Sequence, residues 1–165
     1  CHSERREESL PEAPMLRFAL HDKAPIPKIQ IHGDYHLGQV LKTPHGFTII
    51  DFEGEPARPL EERRAKQPAM RDVAGMLRSL HYAAWATALA RPERHLDAWA
   101  EAWASQAGDR FLKGWQATSD QPLEPTLLKL FRMAKAFYEL NYELNNRPSW
   151  VQVPLRGIEA LMRDA

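Results

Sequence analysis

Two short segments decide the fold: HGDYHLGQ at residues 32–39 and IIDFE at residues 49–53. Each carries an acid, Asp34 or Asp51, where an apolar run that predicts a strand gives way to polar residues. Strand ends hold side chains in a fixed place while leaving them exposed. The turn sequence Thr43-Pro44-His45-Gly46 leaves room for a tight hairpin between the segments. We therefore expect the side chains of Asp34, Gln39 and Asp51 to converge.

The rest of the chain predicts an α+β fold that is mainly α, with a small β hairpin followed by a helical bundle. Alternating polar and apolar residues predict short strands at 28–31, 39–42 and 47–50, and residues 54–67 have the composition of a surface loop. Apolar spacing predicts three long helices: one from Met70 to Pro92, one from about Glu93, and one carrying Leu127 to Tyr142. A loop bounded by Pro148 and Pro154 then precedes a short terminal helix. Residues 1–27 are expected to be a lead-in and 28–165 a single domain.

Composition excludes several classes of protein. The 165 residues carry 22 basic and 22 acidic side chains, so the formal net charge is zero, which disfavours a general nucleic-acid or membrane-surface binder. Transmembrane helices need about 20 consecutive apolar residues, and the sequence has no such run. The single cysteine, Cys1, cannot form an internal disulfide, and the charged start is unlike a signal peptide. We expect a cytoplasmic location.

The acids and the amide suggest phosphate chemistry. Carboxylate and amide oxygens suit Mg²⁺, which predicts metal ligands at Gln39 and Asp51 and leaves Asp34 to accept the proton of an attacking hydroxyl. His32 and His36 flank Asp34 and would also suit a zinc hydrolase, although no third nitrogen or sulfur ligand is nearby in the sequence. We expect His32 to hold the loop by bonding backbone, and leave His36 between loop support and phosphate contact.

The start of the first long helix offers a further candidate contact. Arg71 and Asp72 lie in its first turn, where the helix dipole favours an anion. These two residues are therefore candidates to pair with the loop that carries Asp34, with a purely helix-terminal role as the alternative.

The order of these residues resembles the catalytic loop and metal-binding motif of kinases. Asp34 is followed by four residues and the amide of Gln39, and the dipeptide Asp51-Phe52 comes after the predicted hairpin. The His-Gly-Asp opening is similar to the aminoglycoside-phosphotransferase-like branch. Together with IDFEGEP at 50–56 and the YE, YE and NRP elements of 138–148, it resembles the maltokinase family, including maltokinases fused behind trehalose synthase. The resemblance implies transfer of the ATP γ-phosphate to the anomeric hydroxyl of maltose. It also implies that Asp34 is the catalytic base and that Gln39 and Asp51 bind Mg²⁺ and ATP.

The same resemblance implies that residues 138–148 belong to a sugar-binding helix. Its candidate substrate contacts are Tyr138, Glu139, Tyr142, Glu143 and Arg147. Read from the residues alone, Tyr138 and Tyr142 share a helix face with Lys135 one turn earlier. Aromatic rings cover the C–H faces of a sugar and acids accept from its hydroxyls, although packing in the core would equally explain the two tyrosines.

A kinase of this type also needs a Gly-rich loop and a strand lysine over the phosphates, yet no glycine precedes Gly33. We therefore expect the chain to be the C-terminal lobe of a protein-kinase-like fold, inactive without an N-terminal ATP-binding lobe. The resemblance to fused maltokinases implies a trehalose synthase domain as a further candidate partner. The alternatives are a kinase for aminoglycosides, choline or homoserine, a non-catalytic pseudokinase-like docking module, and a metal hydrolase.

Overall fold

The computed structural model describes residues 25–56 and 58–163. Within these residues the chain forms one small sheet and a set of helices: β1 (Val40–Thr43), β2 (Gly46–Ile49), α1 (Leu60–Arg64), α2 (Met70–Leu89), α3 (Asp97–Thr118), α4 (Pro125–Asn146) and α5 (Gln152–Arg163). Short 3₁₀ turns lie at Leu37–Gln39, Pro92–Arg94 and Pro148–Trp150. The expected mainly helical α+β fold, with a β hairpin and a helical bundle, is confirmed. Most of the expected lead-in, residues 1–24, lies outside the described residues.

The hairpin forms where the sequence predicts it. Strands β1 and β2 pair antiparallel, and the pair formed by Thr43 and Gly46 closes the turn. The N–H of Ile50 donates to the carbonyl of Gln39 at 3.0 Å, which extends the pairing by one step beyond the strands. The predicted strands at 39–42 and 47–50 are therefore confirmed to within a residue.

Two predictions before the bundle are wrong. Residues 28–31 form no strand; Ile29 makes one isolated antiparallel bridge with Gln67. Alternation indicates a buried face, but a strand also needs a neighbouring strand to accept its hydrogen bonds, and none runs beside this segment in the described structure. The segment 54–67, expected to be a loop, contains α1.

The bundle is built around α2. Met70, Val73 and Leu77 recur at helical spacing and are buried against Leu127 and Leu128 of α4. Half-buried residues of α3 and of the neighbouring loops close the same core. Burying each large apolar side chain stabilises the fold by about 1.5–3 kcal/mol, so this core fixes α2 against α3 and α4.

The later helix boundaries differ from the prediction. Helix α3 begins at Asp97 rather than near Glu93, because Pro92–Arg94 forms a 3₁₀ turn and His95 adopts a left-handed conformation at φ 47°. Pro154 does not bound a loop but lies in the first turn of α5. A proline is tolerated there because first-turn N–H groups have no partner within the helix.

None of the helices in the described part of the chain combines the length and the apolar character needed to cross a membrane.

Candidate active site

The loop at 32–39 is fastened to the start of α2. The carboxylate of Asp72 accepts hydrogen bonds from the N–H of His32 at 2.7 Å and from that of Gly33 at 3.0 Å. Burial raises the pKa of Asp72 above its usual value, while the two N–H donors act in the opposite direction. Of the two candidate contacts in this turn, Asp72 binds the loop, whereas Arg71 lies 4.0 Å from the carboxylate of Glu55.

Gly33 occupies a position that a side chain would disturb. Its φ is 86°, a left-handed conformation that side chains disfavour, and an added Cβ would lie 3.1 Å from the Cα of Gly54. The glycine therefore lets the loop at 32–39 cross directly over the segment that follows Asp51.

His32 ties the loop of Asp34 to the strand end that carries Asp51. Its Nε2 lies 2.8 Å from the carbonyl oxygen of Ile50. Because a carbonyl only accepts, Nε2 carries the proton, which leaves Nδ1 to accept from the N–H of Asp34 at 3.4 Å. The buried ring also packs on Phe52, with 4.8 Å between ring centroids. One histidine thus contacts both acid-bearing segments.

Gln39 and Asp51 meet at the open end of the hairpin. The side-chain amide of Gln39 donates to Oδ2 of Asp51 at 2.9 Å. Asp51 is exposed and has a left-handed φ of 63°, a conformation that aspartate tolerates better than most residues. The amide oxygen of Gln39 and Oδ1 of Asp51 are not used by this contact. Such a pair of oxygen donors fits Mg²⁺, which typically takes one or two protein ligands together with waters and substrate phosphates.

Asp34 lies beside this pair of segments, with one carboxylate oxygen near an ammonium group and the other near an imidazole ring. Oδ1 is 3.4 Å from Nζ of Lys135, and Oδ2 is 3.7 Å from Nε2 of His36. The Nδ1 of His36 accepts from the N–H of Gly38 at 3.0 Å and caps the 3₁₀ turn. His36 therefore both supports the loop and faces the acid, and the structure leaves its contact with a phosphate as a prediction.

Lys135 and Tyr138 extend the site from α4. The ammonium of Lys135 is 3.4 Å from Glu55 and 4.9 Å from the ring centre of Tyr138. Burial would raise the pKa of Glu55, but Lys135 and Arg58 outweigh it and hold that pKa below its usual value. Burial and the neighbouring Glu55 raise the pKa of Tyr138 to about 12, so its hydroxyl stays protonated and donates to Glu55. Tyr138 therefore lies next to Asp34, at the same end of the bundle.

Glu139, one of the candidate sugar contacts, is engaged by the protein itself. It pairs with the buried Arg78 of α2, at 2.5 Å from Nη2 and 3.1 Å from Nε. This ion pair joins α2 to α4 directly.

The remaining candidate sugar contacts form a second group further along α4. Glu143 is buried and accepts from the hydroxyl of Tyr82 at 2.6 Å and from Arg147 at 2.7 and 2.9 Å. Arg147 in turn lies over the rings of Tyr142 and Trp150. The five candidates thus separate: Tyr138 lies near Asp34 through Lys135, Glu139 pairs with Arg78, and Tyr142, Glu143 and Arg147 form a group next to Trp150.

Metal-binding clusters of the transition-metal type do not occur among the described residues. No group of three or more His, Cys, Asp or Glu side chains in residues 25–56 and 58–163 is arranged to hold an ion. The candidate magnesium site at Gln39 and Asp51 is of a different kind, because it uses one carboxylate and one amide.

Sequence reasoning assigned no role to Glu55 or Arg78, and none to Lys135 beyond its place on a helix face. Glu55 and Lys135 are 80 residues apart, and only the fold brings them together. A signal for Arg78 was present: it follows Leu77 on the apolar face of α2, and a buried arginine requires an acid partner. Its partner, Glu139, could not be chosen from the sequence among the many acids.

Known proteins that are similar to this chain in sequence include glucosamine kinases. A glucosamine kinase from Streptacidiphilus jiangxiensis is 34% identical over 133 residues, and one from Mycolicibacterium smegmatis is 34% identical over 151 residues. The alignments cover 78% and 87% of this chain but 30% and 37% of the relatives. The chain therefore spans about a third of the length of the curated relatives it matches.

Solved structures that resemble this chain also include glucosamine kinases. A glucosamine kinase in complex with glucosamine, ADP and inorganic phosphate matches with a TM-score of 0.71 and 32% identity over 81% of this chain and 35% of that one. A second crystal form of glucosamine kinase matches with a TM-score of 0.75 and 32% identity, over 86% of this chain and 35% of the other. No known family profile matches the chain.

The homologues are glucosamine kinases. The chain shares its sequence pattern and its fold with a part of these sugar kinases, which supports the expected kinase-like fold. The finer resemblance to maltokinase, and with it a fused trehalose synthase domain, finds no support in these relatives, which act on a different sugar by name.

Proposed function

We propose that the protein containing this chain transfers the γ-phosphoryl group of ATP to a sugar hydroxyl, and that residues 32–55 supply the catalytic centre. The observation that carries the proposal is the junction of two segments: Gln39 contacts Asp51 at 2.9 Å while His32 bonds the carbonyl of Ile50. These contacts hold the loop of Asp34 against the strand end of Asp51. The similarity to glucosamine kinases supports the same chemistry.

In this proposal Asp34 is the general base. The acceptor hydroxyl oxygen attacks the γ-phosphorus, the bond from that phosphorus to the bridging oxygen breaks, and ADP leaves with the electron pair. The hydroxyl proton passes to the carboxylate of Asp34, whose Oδ1 and Oδ2 lie near Lys135 and His36. Asp34 is partly exposed, at 22% of its side chain, so an acceptor can reach it.

Gln39 and Asp51 would hold Mg²⁺ through the two oxygens that their mutual hydrogen bond leaves available. When bound, the ion neutralises charge on the transferred phosphate. The protein's own contribution is to fix the two donors: the N–H of Ile50 bonds the carbonyl of Gln39 at 3.0 Å, immediately before Asp51.

Glucosamine is the first acceptor to test, because the similar proteins are named for it. Maltose is the second, because residues 32–39, 50–56 and 138–148 resemble maltokinase. In this proposal Tyr138, whose ring packs on Lys135, contacts the sugar near Asp34, and Glu139, the residue next to it, is a further candidate although it pairs with Arg78. Tyr142, Glu143 and Arg147 would form a more distant part of the sugar site.

The test is a phosphoryl-transfer assay on the full-length protein with Mg²⁺, radiolabelled ATP and a panel of glucosamine, maltose, an aminoglycoside and choline. We expect transfer to a sugar, and glucosamine to have the highest kcat/KM. Asp34→Asn should lower kcat by roughly 10²–10⁴-fold, the usual contribution of a general base. Asp120→Asn, in the exposed loop after α3, is the matched control and should leave kcat unchanged.

Two outcomes would contradict the proposal. Transfer that persists at the wild-type rate in Asp34→Asn would show that Asp34 is not the base. Transfer to choline or the aminoglycoside but to neither sugar would show that the protein is a kinase whose acceptor is not a sugar.

A further inference from the structure

Lys135 connects the proposed catalytic centre to α4. Its Nζ lies 3.4 Å from Oδ1 of Asp34 and 3.4 Å from Oε1 of Glu55, so one ammonium is shared by two carboxylates. The three residues come from distant parts of the chain, and Lys135 is 101 residues from Asp34. The ring of Tyr138 lies under the same ammonium, 4.9 Å from Nζ.

Glu55 is the fixed partner in this trio. Its side chain is only 9% exposed, and its Oε2 accepts from Nε of Arg58 at 3.0 Å. Nη2 of Arg71, at the start of α2, lies 4.0 Å from the same oxygen. Because Glu55 is held on the side away from Lys135, it gives the lysine a defined position rather than a mobile one.

Asp34 is less constrained by its own loop. Its backbone is held through Nδ1 of His32, but its carboxylate is partly exposed and lies 3.7 Å from His36. A base that accepts a proton must point one oxygen at the attacking hydroxyl, and small displacements of catalytic groups are costly in rate. Lys135 contacts Oδ1, so Oδ2, which lies 3.7 Å from Nε2 of His36, is the oxygen left to accept the proton.

We propose that Lys135 is a positioning residue for the phosphoryl transfer: anchored by Glu55, it orients the carboxylate of Asp34 towards the acceptor hydroxyl. The inference rests on the proposed function, because orientation matters only if Asp34 is the base. Lys135 acts through Asp34 and needs no contact with the sugar or with ATP.

This role differs from a structural one in what it affects. Partly exposed ion pairs contribute little to stability, and the side chain of Lys135 is 30% exposed. Removing its charge should therefore leave the fold intact and the substrate affinities unchanged. The effect should appear in kcat, since a misdirected base slows the chemical step without weakening binding.

The experiment compares full-length Lys135→Met, Lys135→Arg and Glu55→Gln with the wild type, and uses Lys113→Met on the exposed face of α3 as the matched control. Lys135→Met should lower kcat by roughly 10- to 100-fold, the scale for a misplaced catalytic group, with KM for ATP and sugar within about twofold of wild type. Lys135→Arg should recover most of the loss. Because Glu55 acts through Lys135, the double variant Glu55→Gln/Lys135→Met should be no slower than Lys135→Met alone.

A second measurement is independent of turnover. Amide hydrogen exchange in residues 32–39 should be faster in Lys135→Met than in Lys113→Met, because the loop loses a contact with α4. Exchange elsewhere should not change. This readout does not require that a substrate be known.

The outcomes separate the two proposals. Unchanged kcat in Lys135→Met, a change confined to KM, or additive losses in the double variant would overturn the role of Lys135 while the sugar kinase stands. A wild-type protein that phosphorylates no sugar would overturn the proposed function. In that case unchanged exchange at 32–39 would overturn the role of Lys135 as well, and faster exchange would support its hold on the loop.

Discussion

Replacing Gly157 with alanine tests whether the ion pair between Arg78 and Glu139 organises the bundle. An added Cβ at Gly157 would lie 1.8 Å from Nη1 and 2.7 Å from Cζ of Arg78, far inside van der Waals contact. Arg78 is 1% exposed and is held by Glu139, so its guanidinium has no open space to enter. Helix α5 therefore approaches α2 this closely only because residue 157 lacks a side chain.

The magnitude follows from two opposing effects. Alanine in a helix interior is favoured over glycine by about 1 kcal/mol. Displacing the Arg78 guanidinium from Glu139 breaks a buried ion pair, which destabilises by about 3–5 kcal/mol. We expect Gly157→Ala to lower the free energy of unfolding by about 2–4 kcal/mol, the difference of these two effects.

Gly114→Ala is the matched control. Gly114 lies inside α3 with no atom within 4 Å of an added Cβ, so this variant should raise the free energy of unfolding by about 0.5–1 kcal/mol. Urea unfolding of the full-length protein, followed by tryptophan fluorescence, measures both variants. A Gly157→Ala protein as stable as Gly114→Ala would show instead that α5 or Arg78 moves aside at no cost, and that the close approach of the two helices contributes nothing to stability.

Two further predictions concern polar groups of the bundle. Burial, with smaller contributions from Arg78 and a second arginine, lowers the pKa of His81 to about 3, so the folded protein binds fewer protons than the unfolded chain. The neutral His81 therefore stabilises the fold fully above pH 6.5, and this stabilisation is lost as the pH falls towards 3. Between pH 7.5 and 5.5 the free energy of unfolding should fall by about 1.4 kcal/mol from this group alone. His81→Leu should remove that part of the pH dependence of urea unfolding. If the stability of His81→Leu depends on pH as steeply as that of the wild type, other groups cause the pH dependence. Tyr82→Phe deletes the 2.6 Å bond to the carboxylate of Glu143 and should lower the free energy of unfolding by about 1.5 kcal/mol. Tyr142→Phe, on the exposed side of α4, is its control, and equal losses in the two variants would contradict the assigned role of that bond.

Local patterns predicted the parts of this fold that depend on neighbours in the chain. The turn at residues 43–46 and the apolar spacing after Met70 led directly to the hairpin and to α2. The predicted strand at 28–31 failed because its alternation says nothing about a partner strand. The second long helix was predicted too early because a left-handed residue, His95, interrupts the chain after Pro92.

In the candidate site, too, only the contacts between residues close in the chain could be predicted. Asp34, Gln39 and Asp51 were recognisable because they lie within 18 residues of one another, on either side of one predictable turn. The link from Lys135 to Asp34 spans 101 residues and depends on how α4 crosses the loop, which no local pattern encodes. Long-range ion pairs of this kind require the packed bundle before they can be assigned.

A crystal structure of the full-length protein with Mg²⁺ and ADP tests the catalytic centre most directly. We expect electron density for a metal ion about 2.0–2.1 Å from an oxygen of Asp51 and from the amide oxygen of Gln39, with the carboxylate of Asp34 facing the space beyond the β-phosphate. A metal–nucleotide complex bound away from these three side chains would contradict it.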